Sequence, residues 1–342
     1  MFLATADAQT QTQSVISFDR RTGDRRWETV VHEGGFENKS KRKANEKASL
    51  ASSSIACDGK RLFINFLHDN AVFTTALDMQ GNVLWQQKIT DYIVHQGYGS
   101  SPAVYGPLVV VSADNKGGGA VAGLDRATGK IVWKRERPAK PNYASPVIVH
   151  ANDRDQLIFI GCDLVTSLNP LTGDTLWEIE GATTECVTTT VTDGEQIFTS
   201  GGYPKNHISA AKADGSGTIT WENNTRAYVP SLLERDGFLY ATLDAGVAAC
   251  FRCDDGEETW KARLGGTFSS SPVMVADLVY ATNEEGTTFI YRVNPEAFEL
   301  VAENQLGESV FATPAICDSA IYMRVAHQQD GQRKEYLYCI GE

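Results

Sequence analysis

Gly123-Leu124-Asp125-Arg126-Ala127-Thr128-Gly129-Lys130-Ile131-Val132-Trp133 decides how this chain folds. The stretch runs from an apolar residue to an Asp, then through a short turn ending in Gly, then three residues to a Trp. The same frame recurs along the chain. Phe18-Asp19 leads to Gly23 and Trp27, and Leu77-Asp78 leads to Gly81 and Trp85. Leu168-Asn169 leads to Gly173 and Trp177, Lys212-Ala213-Asp214 to Gly217 and Trp221, and Cys253-Asp254 to Gly256 and Trp260. A degenerate copy follows Val293-Asn294, with Phe298 in the Gly position and Ala302 in the Trp position. All 6 Trp of the chain stand in this one frame.

Physically, one copy is a β-hairpin. Alternating apolar residues form the strand before the Asp. Asp, Thr and Gly form the turn, because Asp binds its own backbone and Gly accepts positive φ. The strand after it carries Trp, a large anchor for packing on a neighbouring unit. Trp133, Trp177 and Trp221 recur every 44 residues. A period of about 40–50 residues rich in short strands reads as a β-propeller with one four-stranded blade per repeat. Counting frames predicts eight blades, with seven as the alternative if the two end units merge.

The ends of the chain carry partial units. Residues 2–6, 14–18 and the Trp27 strand supply second, third and fourth strands, so the first blade lacks its innermost strand. Residues 309–315, 320–325 and 335–340 supply first, second and third strands, so the last blade lacks its outermost one. One upstream segment would fill both gaps, and the expectation is that the chain is N-terminally incomplete. The remainder reads as a single domain over 1–342 with a basic loop insertion at 32–52. That insertion contains Lys39, Lys41, Arg42, Lys43 and Lys47.

Composition narrows the partners. The 342 residues carry a net charge of −12, which argues against nucleic acid and anionic membrane surfaces. No apolar run reaches the roughly 18 residues of a membrane span, and residues 1–7 carry no signal peptide pattern. The 7 Cys show no disulfide framework spacing and read mostly as small buried hydrophobes.

Each later unit opens with a small polar motif before an apolar strand. These are Ser53-Ser54, Ser101-Pro102, Ser145-Pro146, Thr189-Thr190, Pro230-Ser231, Ser271-Pro272 and Thr313-Pro314. Pro lacks a donor and suits a strand start. Small residues let first strands crowd near a propeller axis. Tyr98, Tyr143, Tyr228, Phe268 and Phe311 lie three or four positions earlier. They read as blade packing or, more sharply, as an aromatic ring at one mouth of the channel.

The frame apolar-x-Asp-x-x-Thr-Gly-x-x-x-Trp resembles the PQQ-like repeat of quinoprotein alcohol dehydrogenases and of BamB-like outer-membrane assembly lipoproteins. Together with Gly97-Tyr98-Gly99-Ser100-Ser101-Pro102, Asp114 to Gly119, Ser200 to Pro204 and Tyr336 to Gly341, it most resembles bacterial PQQ-binding-like propeller proteins typical of Planctomycetes. The resemblance spans essentially the whole chain and implies an exported, periplasmic or cell-envelope protein. Its general architecture is shared with WD40-type propellers.

Catalytic signals are sparse by comparison. Quinoprotein dehydrogenases hold a quinone with Ca²⁺, a catalytic Asp and often a disulfide between adjacent Cys. This chain has no Cys-Cys pair, and Cys250 and Cys253 point to opposite faces of one strand. His32, His68, His95, His150, His207 and His327 show no metal-ligand spacing. Asp114 to Gly119 reads as a turn, since no strand–loop–helix context surrounds it. No Gly-x-Ser-x-Gly elbow occurs. The sequence therefore predicts a non-catalytic scaffold for a protein or small ligand, with Trp27, Trp85, Trp133, Trp177, Trp221 and Trp260 docking the blades. Neither a cofactor nor a metal is expected. The alternative is an active or vestigial PQQ-dependent dehydrogenase binding PQQ or a sugar at the channel mouth.

Overall fold

Blade 3 shows how the repeat is built. Its strands Ala103–Tyr105, Leu108–Ser112, Gly119–Asp125 and Ile131–Arg137 form one antiparallel sheet in chain order. A computed structural model describes residues 1–38 and 44–341. Among them the chain forms eight such sheets and no helix, the architecture of an eight-bladed β-propeller. Blade 1 has three strands, Phe2–Asp7, Thr12–Phe18 and Arg25–Glu33. Blade 8 also has three, Ala315–Cys317, Ala320–Gln329 and Gln332–Gly341. The Ser-Pro and Thr-Pro motifs precede the first strands rather than belonging to them, and in blade 8 residues 309–314 lie ahead of the strand. Blade 1 runs through Glu33, so the insertion begins after it. Lys39, Lys41, Arg42 and Lys43 lie outside the described residues, and Lys47 is exposed.

The chain divides into two compact units, Met1–Glu185 with blades 1–4 and Cys186–Glu342 with blades 5–8. Within each unit the cores lie between neighbouring blades. Phe63, Val72 and Ala76 of blade 2 pack with Val109, Val111 and Ala122 of blade 3. In the second unit Phe198 and Ala210 of blade 5 pack with Leu239, Ala241 and Ala249 of blade 6. Such sheets are apolar on both faces, so their second and third strands read as continuous apolar runs.

The repeated frame is a latch between blades. A Cβ on Gly81, Gly129 or Gly173 would stand 2.8, 2.6 or 2.5 Å from the ring of Trp27, Trp85 or Trp133, each on the preceding blade. Gly256 is covered by Trp221 in the same way. These glycines also hold positive φ, between 72° and 90°, so both the turn and the close approach require Gly. The indole N–H then donates to a backbone carbonyl of the same turn. Trp27 reaches Met79 O at 3.1 Å, Trp85 Arg126 O at 3.2 Å, Trp133 Pro170 O at 3.3 Å, and Trp221 Cys253 O at 2.7 Å. Trp177 donates to Gln156 Oε1 on its own blade at 2.7 Å.

Room for each Trp is made on its own blade. The residue opposite it on the third strand is small: Ser17, Ala76, Gly123, Ser167, Ala210 and Cys250 in blades 1 to 6. The register shifts by one residue immediately beyond each pair, a bulge that re-aims the strand as it leaves the turn. In the turns themselves, Asp19, Asp125 and Asn169 each accept two backbone N–H groups through Oδ1. In the blade 6 turn the equivalent position is Arg252, whose carbonyl accepts from Gly256, and not Cys253 or Asp254.

A second stitch runs along the strand starts. The backbone N–H of Ser54 donates to Ser101 Oγ at 2.9 Å, and that of Ser101 to Ser145 Oγ at 2.9 Å. In the second unit Thr189 donates to Ser231 Oγ, Ser231 to Ser271 Oγ and Ser271 to Thr313 Oγ1, at 2.9, 3.0 and 3.0 Å. The hydroxyl of each motif thus serves the blade before it. That is the chemical reason for Ser or Thr at this position, beyond small size.

Candidate functional site

The connectors that lead into each first strand, and the turns between second and third strands, carry the side chains singled out by sequence. Tyr98 lies on the connector into blade 3. It is 8% exposed, donates its hydroxyl to Ser112 O at 2.8 Å and meets Tyr92 edge-on at 5.5 Å. Burial pushes its hydroxyl pKa upward. Phe268, in the second unit, is 1% exposed and packs against Phe289. Both rings pack into the core, and Tyr98 also borders a cavity. The other three are half-buried and each meets its own polar neighbour. Tyr143 Oη lies 3.2 Å from His95 Nδ1. The Arg226 guanidinium stands 5.1 Å from the Tyr228 ring, and that of Arg333 stands 5.7 Å from the Phe311 ring.

Tyr143 leads to a polar cluster that sequence reasoning missed. His95 Nδ1 lies 3.9 Å from Glu185 Oε1, both largely covered. Beside them, Asp114 is a buried hub. It accepts from Arg137 Nε at 3.2 Å, from Arg137 Nη2 at 3.3 Å and from Asn142 Nδ2 at 3.1 Å. Arg137 also donates to Thr166 Oγ1 at 3.2 Å and Gly161 O at 3.4 Å, and Thr166 donates to Glu178 Oε2. Burial alone would lower the pKa of Arg137, yet the charge of Asp114 keeps it raised. A buried charge pair is costly unless its remaining donors are satisfied, and here the guanidinium makes four hydrogen bonds. The arrangement clamps blade 3 to blade 4. Asp114 to Gly119 is a turn, with Gly117 N–H donating to Asn115 Oδ1, and it also supplies this anchor.

Next to Tyr98 lies a cavity of about 430 Å³. Its walls include Phe36, Leu50, Leu67, Val94 and Tyr98, with Glu37 among the polar groups at its edge. The insertion after blade 1 forms one wall. It is pinned by Asn70 Nδ2 donating to Glu37 O and by Asp69 N–H donating to Gly35 O, both at 3.1 Å. A cavity of this size with apolar walls suits one large apolar side chain or a small ligand. All 7 Cys are free. Cys162, Cys186, Cys250 and Cys253 are buried, as expected of most of the seven, whereas Cys57, Cys317 and Cys339 are exposed.

Blades latched by Trp on Gly define the class of this protein as a β-propeller built from PQQ-type repeats. The sequence matches the family described as outer membrane protein assembly factor BamB over residues 11–247 and 204–297, and the chain belongs to that family. Among solved structures it is similar to BamB from Moraxella catarrhalis, with 14% identity and a TM-score of 0.68, covering 94% of this chain and 92% of that one. It is also similar to a europium-containing methanol dehydrogenase, with 12% identity and a TM-score of 0.65, covering 96% of this chain and 81% of that one. At such identities the likeness speaks for fold. No curated protein matches the sequence.

Proposed function

We propose that this protein is a non-catalytic, protein-binding scaffold of the bacterial cell envelope, acting in the periplasm in the assembly of outer membrane proteins, as the family description implies. The observation that carries this reading is the match to that family over most of the chain. The cavity beside Tyr98 supplies a place for a partner: an apolar side chain enters between Phe36, Leu50, Leu67 and Val94, and Glu37 favours a cationic residue beside it. Stiff blades hold these walls in place, which suits binding through loops on a rigid frame. The test is affinity capture from the native envelope with wild type and Phe36→Asp. Specific partner yield falls by about tenfold or more in the variant, with the thermal melt unchanged. Equal capture by both proteins would reject the cavity as the site.

A second reading, binding of a quinone or a sugar, draws on the fold shared with the methanol dehydrogenase. Arg137 is the buried cation near the Tyr143 cluster, and its guanidinium is committed to Asp114, Thr166 and Gly161. It therefore does not fit the role of holding a quinone's carboxylates, and no reaction step is assigned to these residues. Absorbance of the protein mixed with quinone and Ca²⁺, read for a bound chromophore, separates the two readings.

A further inference from the structure

We propose that a cleft between blades 2 and 3 binds the phosphate group of a small soluble phosphate ester. The cleft measures about 320 Å³. Lys60 and Arg61 reach it from the turn between the first two strands of blade 2, and Arg126 from the frame turn of blade 3. Asp58 and Asp125 also line it, and all five residues belong to the first compact unit. Asp58 sets the geometry, with a side chain only 3% exposed. Its Oδ1 accepts the Lys60 and Arg61 backbone N–H groups at 2.9 and 2.7 Å. Its Oδ2 accepts from Arg61 Nη1 at 3.1 Å and lies 3.6 Å from Arg126 Nε. One buried carboxylate thus orients guanidinium groups from two neighbouring blades. Burial would raise its pKa, yet the two amides and the Arg61 guanidinium keep it lowered, so it stays ionised at neutral pH.

The donors of the cleft exceed what the protein uses. A guanidinium offers five N–H groups, and Asp58 takes one hydrogen bond from that of Arg61. Asp125 directs Oδ1 to the Ala127 and Thr128 amides and the Thr128 hydroxyl. Three cations therefore meet two carboxylates already engaged with protein donors. The cleft is net positive in a chain of net charge −12. A tetrahedral phosphate presents oxygens in several directions, which suits two guanidinium forks and an ammonium converging from two blades. Pro107 and Ala127 add apolar wall, and the volume leaves room for a small ester group beside the phosphate. The Trp latch does not account for Arg126. Its carbonyl receives the Trp85 indole N–H, a task that Met79, Pro170, Cys253 and Asn294 perform at other junctions without a charged side chain. This goes beyond the reading of the cavity beside Tyr98, with which the cleft shares no residue.

Isothermal titration calorimetry of the full chain with glycerol 3-phosphate, at two temperatures and low ionic strength, tests the proposal. Saturable binding at one site with a Kd of about 1 mM or tighter is expected. Lys60→Gln and Arg126→Gln each weaken it by about tenfold or more, since each removes a charge-assisted contact. Arg126→Gln keeps the backbone carbonyl that Trp85 uses, so an unchanged thermal melt separates lost binding from a lost fold. Lys130→Gln, on the same turn but outside the cleft, leaves the affinity unchanged and controls for diffuse charge. Absence of saturable heat at both temperatures, or equal weakening by Lys130→Gln, would overturn the proposal. So would flotation with phosphatidylglycerol vesicles, abolished by Arg126→Gln, in a protein that does not bind glycerol 3-phosphate. That result would make a lipid headgroup the occupant.

Discussion

Blades 6 and 7 solve the same packing problem with opposite assignments of volume. In blade 6 a small residue, Cys250, faces a large one, Trp260. In blade 7 the large residue is on the third strand, Ile290, and the small one, Ala302, is on the fourth. Both blades keep the one-residue register shift just beyond the pair. Phe298 replaces the frame glycine of blade 7, and Trp260 packs on it at 5.5 Å while still donating to Asn294 O at 2.7 Å. What the repeat requires is therefore a filled space and a donor for one turn carbonyl. Trp over a small residue is one way to fill it.

The largest break in this comparison comes from Trp260→Ala. The ring is 9% exposed and contacts Tyr240, Tyr291 and Phe298. Its loss leaves a cavity between blades and costs about 3–5 kcal/mol, measured by denaturant unfolding. A loss below about 1 kcal/mol would show that the latch does not hold blade 7 to blade 6.

A cycle in blade 7 sharpens the comparison. Ala302→Trp alone overfills the pair, because Ile290 occupies the space. Ile290→Ala alone leaves a void. The double variant restores the blade 6 arrangement, so the two changes couple favourably by about 0.5–3 kcal/mol. Strict additivity of the two unfolding free energies would refute the exchange of volume.

The smallest effect concerns the turn that receives Trp221. Asp255 binds Arg252 and accepts Glu257 N–H at 2.9 Å, and the Arg252 hydrogen bond holds its pKa down to about 2. A carboxylate depressed on folding adds stability that is complete above its unfolded value of about 3.9 and fades as pH falls through the folded value. The melting temperature of Asp255→Asn accordingly lies slightly below wild type at pH 5, and the two converge as pH falls from 4 to 2. A gap that persists at pH 2 would assign the effect to something other than this charge.

The blade count was legible because each blade packs on a near copy of itself, so the packing constraint repeats in the sequence. What joins to what was less legible. The spacing from Gly to Trp looks like the internal geometry of one hairpin, yet Gly129 lies beneath Trp85 of the blade before it. A periodic array gives the same spacing for both arrangements. The aromatics before each strand start share one spacing, but Phe268 sinks into the core while Tyr143 stays half-buried. Their depth depends on neighbouring blades and not on their own register. The cluster of Asp114, Arg137 and Asn142 occurs once, at a single blade junction, and leaves no period to detect. Cys339 is exposed on the outer strand of a sheet that has three strands among the described residues, a property of topology rather than of local sequence.

The hydrogen bonds between strand starts have one further consequence. Ser101 gives its amide to Ser145 and offers its hydroxyl to Ser54, so a single residue carries both halves of the joint. Any two such units fit in either order of ancestry, as identical links do. Gene duplication can lengthen an array of this kind by whole units without inventing a new interface. Divergence can then proceed in the connectors while the joint stays interchangeable.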